Sequence, residues 1–167
     1  MKKSAAMGLM SLVLLLCSCS SMYIRPTIQA ELYRQEIPGT AAIIFKAAQY
    51  VIPALGYRID GSDPKAGTIT TSAVEMTLGQ GDCDCGTAMG LPVIKSKGTK
   101  AKVYFILGVS NNELTIKAEI VPELDELTSV LGSAANIVCV SKGGLEKAFA
   151  REFTQKAAGN IIKGLFK

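Results

Sequence analysis

The sequence predicts an α+β domain in which an antiparallel sheet of about four to five strands carries two main helices on one face. Three observations support this fold class: a long alternating pair of segments around Asn111-Asn112, an apolar segment of helical periodicity at 39–54, and a second helical pattern from Leu145. The predicted order is one strand, one helix, two hairpins and a terminal helix. This order is typical of helices gathered on one face of an antiparallel sheet.

The first two predicted elements are a strand at 27–34 and a helix at 39–54. Apolar and polar residues alternate over 27–34, which is the period of a half-buried strand. Over 39–54 the apolar residues recur at helical spacing, and Pro53 and Gly56 are the residues expected to end the helix.

Two hairpins are predicted to follow the helix. The first joins strands at 57–60 and 68–77 through a turn rich in Ser, Asp, Pro and Gly. The second joins strands at 101–110 and 113–121 through Asn111-Asn112, a pair that tolerates the positive φ of a tight turn. Together the two hairpins supply most of the predicted sheet.

The end of the domain is predicted to be helical. The segment 123–140 is ambiguous between a short helix near its start and a strand or loop near its end. From Leu145 onward, apolar residues four apart lie on one helical face. These residues are Leu145, Phe149, Phe153, Ala157, Ile161 and Leu165. We expect this last helix to lie across the sheet.

The composition excludes several classes of function. Lys and Arg total 18 and Asp and Glu total 14. Because Lys2 and Lys3 lie in a segment expected to be cleaved, the mature surplus is +2, which is too small to indicate nucleic acid as a partner. The chain has no His and no Trp. Without His there is no Ser-His or Cys-His pair for nucleophilic catalysis, so we expect a protein that is not an enzyme.

The first residues carry the pattern of an export signal. Lys2 and Lys3 form a basic start, and the apolar run over 5–16 is too short to span a membrane. The residues Leu16-Cys17-Ser18-Cys19 resemble the lipobox of bacterial lipoproteins, with an aliphatic residue at −3, a small residue at −1 and the acylated Cys at +1. The resemblance implies a signal peptide at 1–18 and a covalent lipid on Cys19.

The residues after Cys19 bear on the membrane that is used. In lipoproteins of this kind, Asp after the acylated Cys favours retention in the inner membrane, whereas Ser20 and Ser21 follow here. The resemblance therefore implies the periplasmic face of the outer membrane, if the cell has one. Acyl chains hold a protein on a membrane by burying methylenes, at about 0.8 kcal/mol each. The expected organisation is a lipidated tether at 19–26 and a single domain at 27–167.

The first predicted helix ends at Leu55-Gly56-Tyr57, and a hairpin containing Asp63 and Gly67 follows it. This arrangement resembles the helix-grip domains of small bacterial outer-membrane lipoproteins, of which the C component of the β-barrel assembly machine is the best-known example. The resemblance covers about 27–122. It implies a non-catalytic accessory role in an envelope complex and assigns no functional residue.

One unusual motif, Gly-Gln-Gly-Asp-Cys-Asp-Cys-Gly, lies between the two hairpins, and it predicts an exposed loop at about 79–99. Cys83 and Cys85 could bind a thiophilic metal such as Cu(I) or Zn(II), with Cys139 or the neighbouring Asp82 and Asp84 as further ligands. A disulfide is the alternative, since an exported domain sits in an oxidising compartment. A bridge from Cys83 or Cys85 to Cys139 would leave one free thiol.

Two hypotheses of function follow. The first is a lipid-anchored interaction module that docks on an envelope protein through a sheet edge or through the Cys-rich loop. The second is a lipoprotein that binds a metal or small ligand through Cys83, Cys85 and Cys139. The first needs no cofactor beyond the lipid on Cys19.

Overall fold

The computed structural model describes residues 23–30, 32–88, 90–95, 98–123 and 137–162. The predicted signal peptide, the predicted lipidation site Cys19 and the short helix suggested after residue 123 lie outside the described residues. Within them, the α+β prediction is confirmed. The main sheet has six strands, one more than the upper end of the prediction.

The elements are named here in chain order. They are β1 (Tyr23–Ile24), β2 (Tyr33–Glu36), α1 (Ala41–Ala54), β3 (Ile59–Asp63), β4 (Thr68–Thr71), β5 (Val74–Leu78), β6 (Cys83–Asp84), β7 (Thr87–Ala88), β8 (Leu91–Pro92), β9 (Thr99–Ser110), β10 (Glu113–Pro122), β11 (Val140–Ser141) and α2 (Gly144–Ile162).

The β9–β10 hairpin is the centre of the sheet and confirms the second predicted hairpin. Its strands pair antiparallel over the whole length of β10, from Glu113 opposite Ser110 to Pro122 opposite Ala101. Asn112 has the positive φ expected of the turn, at 59°. Burial alternates along both strands, so one face of the hairpin packs inward and the other faces water.

The remaining strands flank this hairpin in the order β2-β10-β9-β4-β3, and β5 also pairs with β9. The single strand predicted at 68–77 is therefore two strands, separated at Ser72-Ala73. Where the ladder with β9 is interrupted, the buried hydroxyl of Thr71 accepts a hydrogen bond from the backbone N–H of Phe105 at 3.0 Å. The side chain thereby satisfies a buried donor that the break in the strand would leave unpaired.

The strand predicted at 27–34 is wrong in position, since β2 runs from Tyr33 to Glu36. The alternating apolar residues Ile28 and Leu32 are exposed. The register with β10 would place a longer β2 opposite Ala118 and Ile120. Both of those positions already have other partners, described below, so the ladder ends at Tyr33.

Both helices pack on the same face of the sheet, as predicted. The buried side chains of α1 are Ile44, Phe45, Ala48, Val51 and Ile52. The ring of Phe149 in α2 stacks on Phe105 of β9 with 4.6 Å between ring centroids, and Tyr57 meets both rings at 5.2–5.5 Å. Buried aromatic pairs of this kind stabilise a core beyond the area that they bury. Over the described residues, neither helix combines the length and apolarity required to cross a membrane.

The N-terminus of α1 is capped by the turn of the β9–β10 hairpin. The N-cap residue Thr40 makes no side-chain capping bond. Instead, Asn111 Oδ1 accepts a hydrogen bond from Ala41 N–H at 2.9 Å, and Asn112 Oδ1 accepts one from Gly39 N–H at 3.0 Å. Asn111 and Asn112, which were predicted to form a turn, therefore also fix the start of α1, about 70 residues earlier in the chain.

We expect Asn111→Ala to lower the free energy of unfolding by about 1 kcal/mol, because Ala41 N–H loses its acceptor at the helix terminus. Asn111→Asp retains an acceptor oxygen and places a negative charge at the positive end of the helix dipole, so its stability should match or exceed that of the wild type. Urea denaturation of the two variants measures the difference. Equal losses in both would contradict the capping role.

Candidate functional site

The motif that contains Cys83 and Cys85 lies in a small lobe beside the main sheet. We call this part the disulfide lobe; it comprises residues 79–88, 90–95 and 137–142 together with β1. Its strands form the sheet β1-β7-β8 and the pair β6–β11. The prediction of an exposed loop at 79–99 is therefore wrong for the described residues of the segment, which form short strands and bury apolar side chains in the core. The buried residues are Cys83, Cys85, Val93 and Ile94.

Cys85 and Cys139 form a disulfide, and Cys83 is left as a free, buried thiol. This is one of the two bridges that the sequence left open. The disulfide joins the two segments of the lobe, and an isolated antiparallel bridge between Cys139 and Ile120 attaches the lobe to the edge of β10. A cross-link between residues 54 apart restricts the unfolded chain and stabilises the fold by about 4 kcal/mol on the chain-entropy model.

The chemistry of Cys83 is that of a core residue. Burial raises the pKa of its thiol to about 11, and the neighbouring carboxylates of Asp82 and Asp84 raise it too, while Lys142 acts in the opposite direction. At neutral pH the thiol is therefore protonated, and a protonated thiol is a poor nucleophile and a poor metal ligand.

The two aspartates considered as ligands serve local turns. Asp82 Oδ2 accepts a hydrogen bond from Gly79 N–H at 2.8 Å, and Asp84 Oδ1 accepts one from Gly86 N–H at 2.8 Å. Gly86 has a φ of 75°, and a Cβ there would collide with the carbonyl oxygen of Ile24. Among the described residues, no three His, Cys, Asp or Glu side chains form a group able to hold a metal ion.

The side chain of Tyr23 attaches β1 to the rest of this lobe through hydrogen bonds. Its hydroxyl lies 3.0 Å from the carbonyl oxygen of Cys85 and 3.2 Å from that of Val138, and it accepts a hydrogen bond from Val138 N–H at 3.1 Å. β1 also pairs with β7, opposite Thr87 and Ala88. Residues 23 and 24, part of the segment predicted to be a tether at 19–26, are therefore bound beside the disulfide.

Among the described residues, the charged residue that is buried is Glu146 of α2, which the sequence analysis did not identify. Its side chain is 2% exposed, yet both carboxylate oxygens accept hydrogen bonds. Oε1 accepts from the backbone N–H of Ala118 in β10 at 3.0 Å, and Oε2 accepts from the hydroxyl of Ser141 at 2.6 Å. The signal in the sequence was weak, because an acidic residue in the first turn of a helix is ordinarily a surface residue that favours the helix dipole.

Comparison of the sequence with protein-family models and with curated proteins found no match. The crystal structure at 1.49 Å of a DUF4468 family protein from Bacteroides ovatus is similar to this chain, with a TM-score of 0.38 and 16% sequence identity. The similarity covers 82% of this chain and 85% of that one. A likeness at this level assigns no function to the chain.

Thiol alkylation of the unreduced, folded protein at pH 8 should be very slow at Cys83, because a pKa of about 11 leaves about one thiol in a thousand ionised. The rate should rise about tenfold for each pH unit toward 11. After unfolding in urea without reductant, Cys83 should react at once while Cys85 and Cys139 stay protected, as mapped by mass spectrometry. Labelling of Cys139 under these conditions would contradict the observed pairing.

We expect Glu146→Leu to lower the free energy of unfolding by about 1–3 kcal/mol, because it leaves the buried Ala118 N–H without an acceptor. Glu146→Gln retains an acceptor oxygen and a donor for the Ser141 hydroxyl, so its loss should be smaller. Chemical denaturation of both variants gives the comparison. A Glu146→Leu protein as stable as the Gln variant would show that the carboxylate does not support the strand.

Proposed function

We propose that this protein is a bacterial lipoprotein, held on the periplasmic face of the outer membrane by a lipid on Cys19, and that it acts as a non-catalytic interaction module of the cell envelope. The Cys85–Cys139 disulfide is the observation that carries the proposal. Disulfides persist in oxidising compartments such as the periplasm and are rare in the cytosol. A disulfide in the folded domain thus agrees with the predicted export signal at the start of the sequence.

The position of Tyr23 supports a short connection between the lipid and the domain. Only residues 20–22 separate Cys19 from Tyr23, whose hydroxyl is bonded within the disulfide lobe. Four residue steps span at most about 14 Å when fully extended. With a lipid on Cys19, the disulfide lobe would therefore be held close to the membrane surface. The disulfide would stabilise the part of the domain to which the lipidated tether is attached.

The chemistry of the lobe favours a structural role for its polar residues. The carboxylates of Asp82 and Asp84 in the lobe, and that of Glu146 beside it in α2, accept hydrogen bonds from the backbone of the domain itself. The free thiol of Cys83 is buried and protonated, and its neighbour Cys85 is oxidised. These contacts support the docking hypothesis over the hypothesis of a thiol-based metal or ligand site.

Intact-mass analysis of the protein extracted from its own membranes should show a diacyl or triacyl adduct that maps to Cys19. Cys19→Ala should remove the adduct and release the protein from the membrane fraction, because no acyl chain then anchors it. Cys17→Ala is the matched control and should remain acylated, since it changes the neighbouring thiol alone. A wild-type protein without the adduct would overturn the proposed anchor.

A further inference from the structure

An open strand edge lies next to a basic groove on the side of the domain where β2 ends the sheet. Among the described residues, β2 pairs with β10 alone. The groove has a volume of about 500 Å³ and lies between β2 and α2. Tyr33 and Gln35 line it from the strand, and Lys147 and Arg151 line it from the helix. We call it the edge groove.

The main chain of β2 points half of its polar groups toward this open side. Ile37 N–H donates to the carbonyl oxygen of Asn112 at 3.1 Å, and the same register pairs Glu36 with Glu113. Hydrogen-bonded pairs alternate along an antiparallel ladder, so the N–H and C=O groups of Arg34 and Glu36 face away from β10. The outward carbonyl of Glu36 accepts a hydrogen bond from the side-chain amide of Gln35 at 3.2 Å, which an incoming strand can replace.

The charge of the edge groove has one sign. Lys147 and Arg151 are four residues apart, so they lie on the same face of α2. The described residues that line the groove include no Asp or Glu. An occupant that complements both surfaces therefore needs an extended backbone for β2 and acidic side chains for the helix.

We infer that the edge groove binds an extended acidic segment of a partner protein, which adds as a further strand beside β2 and turns its carboxylates toward Lys147 and Arg151. Successive side chains of a strand point to opposite faces, so the carboxylates of the bound segment lie at every second residue. The outward backbone groups favour a polypeptide over an anionic lipid surface, since a lipid headgroup complements the two cations but not the alternating donors and acceptors of the strand. This inference is independent of the lipid on Cys19.

The test uses the full chain in detergent and a displayed library of random 12-residue peptides as the probe. We expect selection to enrich peptides with Asp or Glu at alternate positions. The dissociation constant of a selected peptide should rise at least about tenfold when Lys147→Glu and Arg151→Glu are combined. Lys156→Glu is the matched control, because Lys156 is exposed on the same helix outside the groove, and its effect should stay within about threefold.

N-methylated peptides distinguish strand addition from charge attraction without altering the protein. In an added strand, the N–H groups of every second residue point toward β2 and the others point toward solvent. Methylating one alternate set should abolish binding, whereas methylating the other set should leave the affinity within about threefold. Glu36→Pro, which removes an outward N–H at an edge position that tolerates Pro, should weaken binding as well.

Three outcomes would overturn the inference. The first is a selection that enriches no acidic peptides. The second is binding that both methylated sets leave unchanged, which would show charge attraction without strand pairing. The third combines two results. The full chain binds phosphatidylglycerol vesicles tightly and loses that binding when Lys147 and Arg151 are replaced, and no selected peptide binds differently in its two N-methylated forms. That result would make the groove a membrane-binding surface.

Discussion

The fold depends on how the outer edge of β10 is covered. Alternate N–H groups of this strand face away from β9, and buried backbone donors must find acceptors. β2 pairs with the strand as far as Ile116. Beyond that point the carboxylate of Glu146 accepts from Ala118, and Cys139 forms a bridge with Ile120. The outer edge of β10 therefore binds β2, α2 and the disulfide lobe. These contacts fix the position of each element relative to the central hairpin.

This division of the edge explains features that look unrelated in the sequence. Because Glu146 occupies the position that a longer β2 would take, β2 is only four residues long. Among the described residues, no strand pairs with its outer edge. The same carboxylate sets the start of α2 against β10, which places the basic side chains of Lys147 and Arg151 beside that open edge. A buried acid that binds a backbone donor thus creates, indirectly, the basic groove next to it.

Local patterns predicted the central hairpin and both helices, because their signals are periodic and contained within one segment. The failures share a physical cause, which is a contact between distant residues. Apolar and polar residues alternate around Ile28 as in a strand. The backbone of β10 with which such a strand would pair is already bonded to Glu146 and Cys139. The composition of the glycine-rich segment around Cys83 predicts a loop. In the structure, the disulfide and the pairing with β1 hold this segment against the core. The capping role of Asn111 has no local signal, since its acceptor oxygen serves a helix 70 residues away.

The two surfaces that the proposals use lie along the same strand, β10. The edge groove lies beside β2, whose Gln35 pairs with Leu114 near the hairpin turn. The disulfide lobe meets the same strand at Ile120. Six residues of extended strand span about 20 Å, so the end of the groove at Gln35 lies away from the bridge at Ile120. The other end of the groove, at Gly144, is two residues from Lys142 of the lobe. Under the proposed anchor on Cys19, the tether enters the fold at β1, which pairs with β7 and not with β2. Strand addition at the edge of β2 therefore does not displace the tether.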